Sequence, residues 1–600
     1  MTTALRAALL ASAALAMSAC TTAQTDPVTA AQAQVPANID TFFGQYDEAT
    51  LALSPESKAY RGIRDADYGE WSDATPAADA KERALRQEWL ARMRAGYDLD
   101  ALGEQDQLSY RLFEAVAARD ALTDPYEEYG YIFNQMTGQQ SGIPAFLINT
   151  HTVTDVSDAE AYVSRIAGIA PLMDQLIARS ATRAANGIMP PDWVYPYVLS
   201  DIENLLNAGM DNAVLEDFRS EVAELDITDA DEARLVREAE AAWQSQAAPA
   251  YGRLRAEMLR QQASAPTDDG VWRLPNGGEY YDALLSYYTT TDLAADQIHD
   301  IGLREVERIH GEMRAIMAQV GFEGSLQDFF EYTRTNPRFF HTSREDYLEE
   351  VDAVVTAMEA RLPDYFATLP QYPLEVKPVE AFREQSAGKA FYSSPAPDGS
   401  RPGRYYVNLY NLGDMSRNEL EALAYHEAVP GHHMQRAIQT GLDGLPPFRR
   451  FGGFTAYTEG WGLYSEELGK DMGFYTDPYS DFGRLGMELW RAARLVVDTG
   501  IHSKRWSRED AIGYLQQNTP NPDGDIRKAI ERYIVYPGQA TAYMIGKLKI
   551  MELREEARAE LGETFDIREF HDVILLNGPV PLDILEEQVD AWIAKKAGRS

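Results

Sequence analysis

Apolar residues recur every three to four positions along most of the chain, which is the spacing of amphipathic α-helices. The pattern holds over residues 81–117, 157–185, 199–225, 229–263, 292–320 and 344–369. It resumes later over residues 416–440, 455–470, 478–501, 507–517, 525–534, 538–560 and 580–596. We therefore predict a mainly α-helical protein.

One region between these two sets of helices breaks the helical period. Residues 373–380, 388–394 and 404–410 alternate in polarity or are rich in Val, Tyr and Phe, and turns rich in Gly and Pro separate them. This pattern predicts a small antiparallel β-sheet. The sheet would stand directly before the segment in which the histidines of the chain are concentrated.

Length and charge limit the classes of partner. With 600 residues the chain is too long for a single ordinary core, so two or more packed units are expected. The net charge is −39, and a surface this acidic repels the phosphates of nucleic acids and anionic lipids. We therefore expect neither a nucleic acid nor an anionic membrane surface as a partner. The sequence does not indicate the oligomeric state.

The N-terminus predicts export. Arg6 precedes the apolar stretch 7–17, which is too short to span a bilayer, and small residues follow it up to Cys20, the only cysteine of the chain. Residues 1–19 are therefore interpreted as a signal peptide. With no second cysteine, an internal disulfide is excluded.

The same stretch resembles a bacterial lipoprotein signal, in which Cys20 becomes the lipidated N-terminus. A lipid anchor holds a protein on a membrane without a spanning helix. Residues 20–38 are small, polar and proline-containing, as expected of a flexible tether. Thr21, which is not aspartate, implies the outer membrane, with the protein facing the periplasm. The alternative is an ordinary cleaved signal with an incidental cysteine.

Residues 426–433 read HEAVPGHH and hold three of the nine histidines of the chain. The segment resembles the zinc-peptidase motif HExxH, in which two histidines four residues apart share one face of a helix. Ser416 and Glu419 have the spacing of a capping box, so we predict that a helix begins there. On an unbroken helix His426 and His433 would be separated by about 10.5 Å. Zinc requires each nitrogen to lie within about 2.1 Å of the ion, so the helix has to be interrupted.

Pro430 supplies the interruption. It lacks the N–H that would bond the carbonyl of His426, its ring clashes there, and Gly431 makes a kink easier. A two-residue bulge would bring His432 to the position of the second ligand, and a three-residue bulge would bring His433. We favour His432 and leave His433 as the alternative.

A catalytic zinc site has three protein ligands and one open position. Glu459 lies in the apolar and aromatic stretch FTAYTEGWGLYSEELG, and a carboxylate buried there needs a cationic partner. Glu466 and Glu467 are alternatives, although they look like the exposed end of the helix. We therefore predict Zn²⁺ as the cofactor, bound by His426, His432 and Glu459.

Five further side chains are candidates for catalysis or substrate binding. Glu427 follows His426 as in HExxH and is the candidate general base. Peptide hydrolysis builds negative charge on the carbonyl oxygen, and His502 or Tyr543 could donate a hydrogen bond to it. Arg532 could hold a substrate carboxylate. Tyr536 lies beside a Pro-Gly turn that could open a helix, where free backbone N–H groups bind anions, so Tyr536 is a candidate for substrate binding.

Asn408 is a candidate for binding a peptide backbone. It belongs to the predicted strand 404–410, which could pair with an extended peptide by strand addition. The alternative is an ordinary edge strand.

Four motifs carry a resemblance to a known family: HEAVPGHH, AYTEGWGLYSEELG, DTGIHSKRWS and ERYIVYPGQATAYMIG. Together they are similar to the domain-of-unknown-function 885 family over about residues 40–595. That family resembles the helical gluzincin peptidases, such as carboxypeptidase Taq and angiotensin-converting enzyme, in which HExGH is followed by a glutamate ligand on a second helix. Aligning GH with Gly431 and His432 supports His432. The resemblance implies two helical lobes around a deep cleft that suits short peptides.

The sequence thus predicts a zinc metallopeptidase that hydrolyses short peptides. We expect an N-terminal helical lobe over residues 39–370 and a catalytic lobe over residues 371–600. Two other functions stay open: a zinc amidase or esterase that uses the same site, and a non-catalytic peptide-binding lipoprotein.

Overall fold

The computed structural model describes residues 35–380, residue 384 and residues 387–598. The predicted signal peptide, Cys20 and nearly all of the tether lie outside these residues. The described chain is mainly α-helical with one small sheet, so the predicted fold class is confirmed. The predicted two-lobed shape and deep cleft stay predictions.

Helices account for most of the described chain. Before the sheet they are α1 Ile39–Leu51, α2 Pro55–Tyr60, α3 Pro76–Gly96, α4 Glu104–Thr123, α5 Gln139–Thr150, α6 Val156–Ala185, α7 Val194–Ala208, α8 Ala213–Ala223, α9 Asp229–Ala242, α10 Ala248–Gln262, α11 Gly277–Thr289, α12 Ala295–Gln319, α13 Leu326–Thr335, α14 Arg344–Glu359 and α15 Leu362–Tyr365. After the sheet they are α16 Leu420–Glu427, α17 His432–Gly441, α18 Pro447–Arg450, α19 Thr455–Asp471, α20 Pro478–His502, α21 Arg508–Asn518, α22 Asp523–Val535, α23 Ala542–Leu561, α24 Ile567–Leu575 and α25 Leu582–Lys596.

The apolar period locates most of these helices, and local polar groups fix their ends. In α6 the side chain of Asp155 accepts a hydrogen bond from the backbone N–H of Asp158 and so caps the N-terminus. The predicted helix 81–117 is instead two helices, because α3 ends at Gly96 and α4 begins at Glu104. A short 3₁₀ turn stands between them.

The sheet has three strands: β1 Leu374–Pro378, β2 Ala390–Ser393 and β3 Gly403–Val407, in the order β1-β3-β2. β3 pairs with β1 in parallel and with β2 antiparallel. The sheet is therefore mixed, whereas the prediction was wholly antiparallel. The chain between β1 and β3 includes β2 and reverses direction twice, so β3 runs the same way as β1.

Buried apolar side chains form one main core and a second large one. The main core extends from α11 to α25 and includes the sheet, with α12 against α20 and α19 against α23. The second core is built chiefly by α5 to α10. The main core includes helices on both sides of residue 370, and the predicted lobe boundary there stays a prediction.

Within the part of the chain that the structure describes, no helix combines the length and the apolar character that crossing a membrane requires.

Candidate metal centre

The HEAVPGHH segment joins two separate helices. α16 ends at Glu427 and α17 begins at His432, with non-helical backbone at Ala428 and Gly431 between them. The predicted interruption at Pro430 is present, and it is a break between helices rather than a bulge within one. The predicted capping box at Ser416 opens only a 3₁₀ turn: its hydroxyl accepts from the N–H of Asn418, and the α-helix begins four residues later.

Gly431 allows the chain to fold back on the end of α16. A Cβ atom at this position would lie 2.0 Å from the carbonyl oxygen of His426 and 2.3 Å from that of Tyr425. Any side chain here would therefore force the two helices apart. The break is also held from outside, because the indole N–H of Trp461 donates to the carbonyl of Pro430 at 2.9 Å.

The break brings His426, His432 and Glu459 together, and we call these three residues the histidine cluster. One possible ligand atom of each lies within 4.8 Å of the others. Glu459 Oε2 is 3.3 Å from His432 Nε2 and 3.6 Å from His426 Nε2. Ligand atoms about 2.1 Å from a tetrahedral zinc ion are about 3.4 Å apart, so these separations suit one ion.

Glu466 orients the first of these histidines. Its Oε1 lies 2.8 Å from His426 Nδ1, which directs the Nε2 of the same ring toward Glu459. The expectation that Glu466 is exposed is wrong, since only 1% of its surface is accessible. Glu467 instead pairs with Lys547 at 2.5 Å. A carboxylate behind a ligating imidazole fixes its tautomer and raises its basicity.

The surroundings of the histidine cluster fit a metal ion. A Cβ atom on Gly462 would lie 2.7 Å from His426 Cε1, so glycine makes room for the ring in this position. Glu459 Oε2 is buried and, within the described part of the chain, has no hydrogen-bond partner. Two imidazoles and one carboxylate are a ligand set that catalytic zinc sites use.

The electrostatics of the histidine cluster also favour a bound cation. Burial alone disfavours a charged imidazole, but Glu459 and Glu466 outweigh it and raise the pKa of His426 to about 10. Burial would likewise raise the pKa of Glu459, yet the two imidazoles hold it well below its usual range. The carboxylates therefore favour a cation here, and a divalent metal can supply that charge beside neutral imidazoles.

Glu427 lies beside the cluster, where the HExxH comparison places it. It is buried, its Oε2 has no hydrogen-bond partner in the described ranges of the chain, and burial raises its pKa above the ordinary value. The electrostatic neighbours of Glu427 include both histidines and Glu459. A raised pKa makes a carboxylate a better proton acceptor near neutral pH.

The side chain of His433 contacts the β-sheet. Its Nδ1 lies 3.0 Å from the hydroxyl of Tyr392 on β2. Of the two alternatives for the second ligand, the structure therefore brings His432, and not His433, to His426.

Tyr543 and Arg532 lie next to the cluster. The ring of Tyr543 stacks near that of His426, with centroids 6.4 Å apart and planes 18° apart. Arg532 donates to the hydroxyl of Tyr543 at 3.4 Å and to the side chain of Gln539. Their predicted roles stay predictions.

His502 and Tyr536 are placed differently. The backbone N–H of Val271 donates to His502 Nδ1 at 3.2 Å, and His502 Nε2 donates to the carbonyl of Tyr533 at 2.9 Å. Burial lowers the pKa of His502 to about 4, so it stays neutral. Both nitrogens are occupied by backbone groups, and neither is available to a substrate. The ring of Tyr536 packs against that of Tyr288.

The prediction of strand addition along residues 404–410 is wrong for β3, because β1 and β2 occupy both of its edges. Asn408 uses its amide to close a loop of its own chain: Nδ2 donates to the carbonyls of Glu384, Ala387 and Gly388 at 2.8–3.2 Å. That amide is therefore not free for a peptide.

Sequence reasoning missed three arginines near the cluster. Arg491 and Arg494 come from α20, and Arg436 follows His432 by one helical turn. The spacing of Arg436 could have been noticed in the sequence. The positions of Arg491 and Arg494 could not, because nearly all of α20 is buried and packing decides which of its faces meets α16.

Comparison with known proteins agrees with this architecture. A protein described as a "putative lipoprotein" from Colwellia psychrerythraea is 32% identical, with a TM-score of 0.89, over 93% of this chain and 99% of that one. A second, of unknown function, from Shewanella oneidensis is 18% identical, with a TM-score of 0.69, over 92% of this chain and 99% of that one. The second likeness concerns the fold alone. A search of curated proteins gives no match.

A family described as bacterial protein of unknown function (DUF885) matches residues 55–589. This range includes every residue of the histidine cluster and nearly all of the described helices. The resemblance deduced from the four motifs is thereby confirmed, and the chain belongs to the DUF885 family.

Proposed function

We propose that this protein is a zinc-dependent metallopeptidase that hydrolyses short peptides. The observation that carries the proposal is the convergence of His426, His432 and Glu459 from three helices, with the unpartnered carboxylate of Glu427 beside them. The similarity of the motifs to those of helical gluzincin peptidases supports it. That similarity is an analogy between families and does not establish an activity.

In this proposal His426, His432 and Glu459 hold the metal and Glu466 keeps His426 oriented. When bound, zinc supplies Lewis-acid chemistry, which polarises a carbonyl group and acidifies water. Glu427 accepts a proton at Oε2 from the attacking water and passes it to the departing amine. The water oxygen bonds to the carbonyl carbon, the C–N bond breaks, and the products are one carboxylate and one amine.

Tyr543 is the group best placed to stabilise the developing oxyanion, since its ring lies against His426. We also propose that the protein is held in the cell envelope by a lipid on Cys20. The N-terminal signature supports this anchor, and so does the 32% identical protein of Colwellia psychrerythraea, which is described as a "putative lipoprotein".

Two substitutions test the proposal together. Glu427→Gln should keep one zinc per chain and lose hydrolysis of short peptides by roughly 10²- to 10⁴-fold, the range for a general base. Glu459→Gln should lose both the bound zinc and the hydrolysis of peptides. Zinc is measured by mass spectrometry of the dialysed protein, and hydrolysis by mass spectrometry of peptide digests.

The same assays separate the alternatives. Esters or acylamino sugars hydrolysed in preference to peptides would indicate the amidase or esterase. Zinc retained without hydrolysis of any substrate by the unaltered protein would indicate a binding protein and refute the enzyme.

A further inference from the structure

Two arginines beside the histidine cluster have no carboxylate partner. Arg494 of α20 donates from Nε to the hydroxyl of Tyr533 at 2.8 Å, and its Nη1 is buried without a hydrogen-bond partner in the described chain. Arg532 of α22 donates to the neutral oxygens of Gln539 and Tyr543. Among the described residues, neither guanidinium forms an ion pair.

Two other arginines of α20 do form ion pairs with carboxylates. Arg484 pairs with Asp481 at 2.8 Å and Arg491 with Glu466 at 3.5 Å. Carboxylates are abundant in a chain with 94 Asp and Glu against 55 Lys and Arg. A buried guanidinium N–H without an acceptor costs free energy, and an anionic group from outside would supply the acceptor that Nη1 of Arg494 lacks among the described residues.

The two arginines are one side chain away from the candidate ligands. The guanidinium carbon of Arg494 lies 4.5 Å from the centre of the Tyr543 ring, and the ring of His426 stacks near the same ring. Glu459 also lies within electrostatic reach of Arg532. Arg532 is half-buried and can meet a ligand, whereas Arg494, which lies beside the same Tyr543 ring, is 8% exposed.

We propose that Arg532, with Arg494 beside the same tyrosine ring, binds the C-terminal carboxylate of a peptide, so that the site removes residues from the carboxyl ends of peptides. The inference rests on the proposed function. A guanidinium binds a carboxylate through two parallel hydrogen bonds, and a peptide main chain carries that group only at its C-terminus. Fixing it one side chain from the cluster places the last peptide bonds at the candidate metal ligands.

Arg436 provides a matched control. It also lies near Glu459 and forms no ion pair within the described residues, but it belongs to α17 and donates to Gln439. If positive charge near Glu459 were sufficient, Arg436 and Arg532 would act alike.

The experiment compares three substrates. The first is a tripeptide with a free C-terminus, the second is the same tripeptide with an amidated C-terminus, and the third is an amidated tripeptide that carries an internal glutamate. The zinc-loaded protein should cleave the free acid at least roughly 30-fold faster in kcat/KM than either amide. Arg532→Gln should reduce this preference to below about threefold by slowing the free acid only, and Arg436→Gln should keep it. Equal cleavage of acid and amide would overturn the proposal, as would a preference that only Arg436→Gln removes. Rapid cleavage of the glutamate-containing amide would assign the arginines to acidic side chains and overturn it as well.

Binding separates this proposal from the proposed function. Calorimetry on the Glu427→Gln protein should show the free acid binding at least roughly 30-fold more tightly than the amide, with the difference lost in the double variant with Arg532→Gln. If the unaltered protein cleaves no peptide but this difference is found, the peptidase proposal fails and the carboxylate site stands. If peptides are cleaved and acid and amide bind equally, the carboxylate site fails alone.

Discussion

Two places in the described molecule bring three possible metal ligands together, and they differ in what surrounds them. One is the histidine cluster. The other, which we call the acidic cluster, consists of Asp79, Glu127 and Glu128. In both, one ligand atom of each residue lies within 4.8 Å of the others, so closeness alone does not distinguish them.

The acidic cluster already has its counter-ions. Arg179 pairs with Asp79 and, at 2.9 Å, with Glu128. Arg83 pairs with Glu127. Their side chains are also about one-third exposed, so water can solvate them.

The histidine cluster has no such arginine on its ligand atoms. Glu459 Oε2 is buried and has no hydrogen-bond partner among the residues that the structure describes. A buried acceptor without a partner costs about 1–3 kcal/mol or more, which a bound cation would recover. The comparison teaches that unsatisfied buried donors and acceptors, rather than proximity, identify a metal site.

The largest expected effect comes from removing one carboxylate from each cluster. Glu459→Gln should weaken zinc binding by more than about 100-fold, because it removes a ligand and not merely a supporting group. Glu128→Gln should leave one zinc per chain. Competition with a chelator of known affinity measures both, and a loss of zinc in Glu128→Gln would reverse the assignment.

Next in size is the effect of the carboxylate behind His426. Glu466→Gln should weaken zinc binding by about 10- to 100-fold, since the Nδ1 of His426 loses its charged acceptor. The neighbouring Glu467→Gln is the control, because Glu467 faces Lys547. Equal zinc affinities in the two variants would show that Glu466 does not support the site.

The sequence predicted the chemical groups of this site better than their arrangement. Histidine spacing and Pro430 were enough to predict the break and to favour His432, because a proline four residues after His426 cannot continue the helix. The mainly helical fold followed from apolar periodicity. The sequence named Glu466 only as an alternative ligand. Its bond to His426 could have been inferred, since Glu466 is seven residues from Glu459 and so lies on the same face of α19 two turns away.

The failures have a common physical cause. His502 and Asn408 belong to polar motifs, but tertiary packing gives their side chains backbone partners. The direction of β1 relative to β3 depends on a chain reversal that periodicity does not contain. A single sequence shows which groups are polar and does not show which of them are satisfied after folding.

A smaller effect tests the room made for His426. Gly462→Ala should destabilise the fold by about 1–3 kcal/mol and weaken zinc binding, because its Cβ would lie 2.7 Å from the imidazole. Gly513→Ala in α21 meets nothing within 4 Å and should stabilise the protein by up to about 1 kcal/mol. Urea denaturation measures both variants. Equal stability of the two would mean that His426 can move without cost.

The smallest effect concerns the acidic cluster and pH. Partial burial alone would raise the pKa of Glu128, but bonds from Arg179 and Arg183 hold it below the ordinary value. A carboxylate with a lowered folded pKa stabilises the protein above its unfolded pKa, and this contribution is lost as pH falls through the folded pKa. Glu128→Gln should therefore be less stable than the unaltered protein near pH 7 by at most about 1 kcal/mol, since the pair is partly exposed.

That difference should shrink to zero on acidification below the folded pKa of Glu128, in metal-free protein followed by urea denaturation from about pH 7 to pH 3. The metal-free form is used because zinc release from the histidine cluster would add its own pH dependence. A difference that grew on acidification would mean that the arginines do not hold Glu128 ionised. The acidic cluster would then resemble the histidine cluster in lacking its own counter-ions, and the distinction between them would have to rest on burial alone.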